Sequence, residues 1–76
     1  MATDLIRSLL EGAFPAGTIE IVDRTGGGDH FHVAVTSPAF DGLALVEQHR
    51  LVNRALSEPL GDGTIHELRI TTKGTG

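Results

Sequence analysis

The run His30-Phe-His-Val-Ala-Val-Thr36 alternates without a slip; behind it come Ser37-Pro38, a stretch of helical apolar spacing, and a second β-rich run, Thr64-Ile-His-Glu-Leu-Arg-Ile-Thr71. Successive side chains of a strand point to opposite faces, so Phe31, Val33 and Val35 share one face and His30, His32, Ala34 and Thr36 the other. Pro38 ends this strand. From about Leu43 to Leu56, Leu45, Val46, Val52, Ala55 and Leu56 recur at helical spacing, and the stop signals of Pro59-Leu-Gly-Asp-Gly63 follow. Strand, helix, strand is a crossover, which makes the two strands parallel if they are neighbours, with a right-handed connection. Parallel neighbours begin at the same end of a sheet. His30 and His66 are therefore predicted to meet at one edge.

Upstream, Leu5, Ile6, Leu9, Leu10 and Ala13 put an apolar stripe on a helix over 4–13, with Thr3 as its expected cap and Pro15 and Gly17 as its stop. Thr18-Ile-Glu-Ile-Val-Asp23 is β-branched and alternating, so it reads as a strand that turns through Arg24-Thr-Gly-Gly-Gly-Asp29 into the next. The order is helix, strand, strand, helix, strand. It predicts one α+β domain over 1–76 with a small mixed sheet, and a frayed tail at 71–76.

At 76 residues the chain buries only ~60% of the surface its unfolded form exposes, so its core is small. It has no cysteine to staple that core, which suggests a cytoplasmic protein, and any soft-metal chemistry must borrow its sulfur. The opening Met-Ala-Thr-Asp-Leu-Ile-Arg reads as neither a signal peptide nor a membrane span. A net charge of -4 is the wrong sign for gripping nucleic acid through phosphates, and without Trp or Tyr there is no platform for stacked bases.

Glycines 26–28 invite a phosphate-loop reading, which fails because the loop enters a strand and carries neither the Walker lysine nor a GxGxxG pattern. They read instead as slack, leaving residues 25–29 mobile. His30 and His32 share a strand face and neutral imidazole is a common metal ligand, but two ligands do not make a structural zinc site. His66 would add a third, and a partner could fill the vacancy. In phase with Leu68 and Ile70, His66 is either an exposed ligand or a half-buried histidine bonded to a carbonyl. His49 lies inside the helical stripe and reads as packing. A histidine with Asp29 could act as general acid or base, yet no nucleophile elbow exists and so short a chain has little room for a deep pocket. Arg50 and Arg54, four apart on the helix face opposite the stripe, could touch DNA phosphates, although Glu47 beside them offers ion pairing.

Together, Asp29 to Ile70 with Phe40-x-Gly42, His49-Arg50-Leu51-Val52-Asn53 and Ile65-His66 resembles the BolA family. The resemblance covers about residues 3–72. It implies an αββααβ fold similar to class II KH domains, with helices on one sheet face, a short extra helix around Ser37-Pro-Ala-Phe40, and a C-terminal helix missing or very short here. It further implies a non-catalytic partner of a monothiol glutaredoxin, monomeric or weakly dimeric when free. The two would share a [2Fe-2S] cluster held by the partner's thiolate, the glutathione thiol and histidine from this chain. His66 matches the family's Ile-His position and is the first expected ligand; His30 is the second, with His32 behind it. A DNA-binding regulator using Arg50 and Arg54 is the alternative. Gln48 and Glu67 depart from the family's residues, which bears on docking rather than on fold.

Overall fold

The structure is a computed structural model that describes residues 2–76. Helix α1 spans Ala2–Ala13; strands β1 (Thr18–Asp23) and β2 (His30–Thr36) follow, then a single 3-10 turn, Pro38–Phe40. Helices α2 (Leu45–Ala55) and α3 (Ser57–Gly61) lead into strand β3, Glu67–Lys73. The sheet order is β1-β2-β3. Strand β2 pairs antiparallel with β1, Ile21 opposite Val33, and parallel with β3, His30 opposite Glu67 and Val33 opposite Ile70. This is the α+β, mixed-sheet architecture expected, with the crossover parallel.

The alternation of β2 decides where the core sits. Phe31, Val33 and Val35 are buried against Ile6, Leu10 and Phe14 from α1 and its exit, Val52 and Leu56 from α2 and its end, and Phe40 and Ile65 from the connections. Each large side chain so buried contributes roughly 1.5–3 kcal/mol. Phe14 and Phe40 meet with ring centroids 5.1 Å apart in a tilted pair. The opposite face of β2, carrying His30, His32 and Ala34, stays half exposed.

Several expectations are corrected. Helix α1 begins at Ala2, so Thr3 lies within its first turn and does not cap it. In α2 the stripe is out of phase with the apolar pattern. Leu45 and Val46 are 62% and 58% exposed, whereas Val52 and Leu56 are fully buried. Four residues before Val52, Gln48 takes the first core-facing turn: its Nε2 donates to the Leu43 carbonyl (2.9 Å) and its Oε1 accepts from Thr72 Oγ1 (2.6 Å). A polar side chain occupies that turn because β3 offers it a hydroxyl. The expected helix end conceals α3, whose Pro59 is buried and tolerated near the helix start. Residues 71–76 do not fray: β3 runs to Lys73, and the Thr75 and Gly76 amides donate to Asp41 Oδ1 at 2.7 and 3.1 Å.

Candidate functional site

The glycine turn between β1 and β2 is built around Asp23. Its carboxylate accepts the N–H of Gly26 (3.0 Å) and of Gly28 (2.9 Å), while Thr25 Oγ1 accepts that of Gly27 (3.2 Å). Gly26 and Gly28 have φ of 76° and 79°, a left-handed conformation that costs other residues roughly 1–2 kcal/mol. The amides that would cradle a phosphate are thus taken by the chain's own Asp23 and Thr25. Gly26 and Gly28 are conformationally required, not slack. Arg24 adds a tie across the sheet, its Nη1 2.6 Å from Glu67 Oε1.

This turn delivers Asp29 to the start of β3. The Asp29 carbonyl accepts the N–H of His66 (2.8 Å) and of Glu67 (3.2 Å), carrying the parallel pairing one step beyond β2. Its carboxylate then spans two imidazoles: Oδ1 lies 2.8 Å from His30 Nδ1 and Oδ2 lies 3.1 Å from His66 Nδ1. The rings stand edge to face with centroids 6.3 Å apart. The hydrogen bond with His30 comes first among the causes that hold the Asp29 carboxyl below its usual range, with the charges of both histidines and the His66 bond adding to it against a partial desolvation that pushes the other way.

His30 and His66 are therefore brought together at the common start of β2 and β3. His66 precedes β3 rather than sitting within it, which breaks its phase with Leu68 and Ile70; its side chain is 63% exposed and its ring meets a carboxylate, not a carbonyl. His32, two residues deeper on the half-exposed face, has its Nε2 2.8 Å from Thr71 Oγ1. His49 is half buried on α2. Arg50 is bonded to Glu47 Oε1 at 2.9 Å, and Arg54 is exposed one turn on. Among the described residues, no group of three His, Asp or Glu side chains is arranged to hold a metal ion. None of the described helices is long and apolar enough to cross a membrane. The role of Asp29 as a bridge between two histidines is the part the sequence reading missed; its signal was an acid directly ahead of a strand-opening histidine.

Fold and site together define a small α+β domain whose parallel strands open on a histidine pair. The chain belongs to the BolA family: the family model described as BolA-like protein matches residues 10–76. It is 35% identical over 72 residues to the uncharacterized protein RP812 of Rickettsia prowazekii, covering 95% of this chain and 92% of that protein. It is 40% identical over 75 residues to human BolA-like protein 1, covering 90% of this chain but only 54% of the human one, so it spans about half of that relative's length. Among solved structures, BolA1 from Arabidopsis thaliana superposes with a TM-score of 0.89 at 30% identity, covering 99% of this chain and 93% of that one.

Proposed function

We propose that this chain is a non-enzymatic cytoplasmic adaptor that pairs with a monothiol glutaredoxin and shares a [2Fe-2S] cluster with it, in iron–sulfur trafficking or iron regulation. The observation that carries the reading is the approach of His30 and His66 at one exposed sheet end, both Nδ1 atoms engaged by Asp29. These residues fit the group. Imidazole replaces thiolate on one iron in known cluster types, and metal-bound histidines usually give their other nitrogen to a carboxylate or carbonyl. His66 would be the first ligand and His30 the second, with His32 third in line because Thr71 already engages its Nε2. Thiolate and glutathione come from the partner, since this chain has no cysteine. When bound, the cluster supplies a transferable, redox-active unit, and imidazole ligation raises its potential relative to all-thiolate ligation. DNA binding has less behind it, because Arg50 is paired with Glu47 and the net charge is -4.

The test is to mix the protein with a cluster-loaded monothiol glutaredoxin and follow visible absorption and circular dichroism. The wild type changes both spectra, and His66→Ala removes the change. An unaltered wild-type spectrum would overturn the reading.

A further inference from the structure

An ionised carboxylate accepts hydrogen bonds and donates none. Each oxygen of Asp29 faces the Nδ1 of a different histidine, at 2.8 Å for His30 and 3.1 Å for His66. Both Nδ1 atoms must then carry the hydrogen. A neutral imidazole has only one such proton, so Nε2 of each ring is left as a bare lone pair. We infer that Asp29 is a positioning residue that fixes His30 and His66 in the same tautomer and thereby presents two Nε2 lone pairs at one edge of the sheet.

One carboxylate can serve both rings because its backbone is held from two sides. Asp29 directly precedes His30, and its own carbonyl takes the amides of His66 and Glu67. His30 meets the carboxylate of its own sequence neighbour, whereas His66 reaches it only across the parallel pairing of the two strands. His32 is a built-in control, bonded to Thr71 rather than to Asp29. The value of the arrangement for ligation rests on the reading proposed above, whereas the tautomers are a property of the free protein and can be measured without any cluster.

Long-range proton–nitrogen NMR of the free protein at about pH 8.5, where histidine is ordinarily neutral, reads each tautomer directly. The wild type should show Nδ1–H at both His30 and His66. Asp29→Asn keeps the shape but offers one acceptor oxygen and one amide donor, so it should hold one ring as Nδ1–H and turn the other to Nε2–H. Asp29→Ala should release both, with His32 unchanged and dispersed Phe31 and Val33 amides reporting an intact sheet. Nε2–H as the major form at His30 or His66 in the wild type, or no tautomer change in Asp29→Ala, would overturn the assignment. In the complex with cluster-loaded glutaredoxin, Asp29→Ala should weaken cluster retention about 10–100-fold, the usual effect of removing such a partner. Equal retention would refute the consequence for ligation. A wild type that takes no cluster but holds both rings as Nδ1–H would sink the proposed function and leave the assignment of Asp29 standing.

Discussion

Two aspartates close the two ends of the same pair of parallel strands. At the entry of β2 and β3, Asp29 reaches the side chains of His30 and His66; at their exit, Asp41 accepts the backbone amides of Thr75 and Gly76 and the Thr75 hydroxyl. Each carboxyl is held below its usual range, Asp29 chiefly by His30 and Asp41 chiefly by the Gly76 and Thr75 amides. The chemistry nonetheless differs. A backbone amide bonded to Asp41 has no second nitrogen to present, whereas an imidazole bonded through one ring nitrogen keeps the other available. The exit aspartate fastens the chain, and the entry aspartate also orients reactive groups.

The strongest challenge to this contrast is to remove what the two ends share. Phe31 is fully buried in β2 between them, so Phe31→Ala should cost about 3–5 kcal/mol, a large part of the roughly 5–15 kcal/mol typical of a domain. Urea unfolding measures the loss. Amide exchange should show protection falling at Thr75 and at His66 together. If one end kept its protection, the ends would not be coupled through the core.

A finer test separates the aspartates. Asp41→Asn should speed amide exchange at Thr75 and Gly76 without altering the ring signals of His30 and His66. The pH dependence has a definite sign. Each carboxyl is lowered in the folded state, so its contribution to stability is complete above the ordinary carboxylate value of 3.8 and is lost as pH falls through the lower folded value. Carbon-13 titration should therefore find both below that value. His30→Ala should return Asp29 toward it and leave Asp41 where it was, because only Asp29 owes its largest shift to His30. Equal movement of both carboxyls would contradict the separate causes given for the two shifts.

Much of this was legible in the sequence, for a physical reason. The period of two in His30–Thr36 set the buried face, and strand, helix, strand forced the parallel pairing that brings His30 to His66. What stayed hidden depends on contacts between segments far apart in the chain. Gln48 sits toward the core because Thr72 and the Leu43 carbonyl satisfy it, and no local pattern announces that. Leu45 and Val46 looked like core for the same reason, since periodicity counts apolar residues without knowing which side meets the sheet. The glycine turn looked loose because the anion filling its amides is Asp23, which belongs to the preceding strand. Asp29 appeared in the sequence as a neighbour of His30, while its second contact exists only once the register of β3 is set.

The smallest expected effect concerns the Arg24–Glu67 pair, which crosses the entry end beside the histidines. At 2.6 Å it is the shortest ion pair among the described residues, yet the Arg24 and Glu67 side chains remain 33% and 47% exposed. Such pairs contribute about 0.2–1 kcal/mol, because water and salt screen them and ordering two long side chains offsets the attraction. Arg24→Ala should accordingly move the urea midpoint little, and less still at high salt, where the wild type has already lost most of the attraction. The nuclear Overhauser contacts between the His30 and His66 rings should persist, since Asp23 shapes the turn and Asp29 joins the rings without help from Arg24. If those contacts vanished, the entry end would depend on a screened surface charge rather than on Asp29, and the contrast between an aspartate that only fastens and one that also orients would fail.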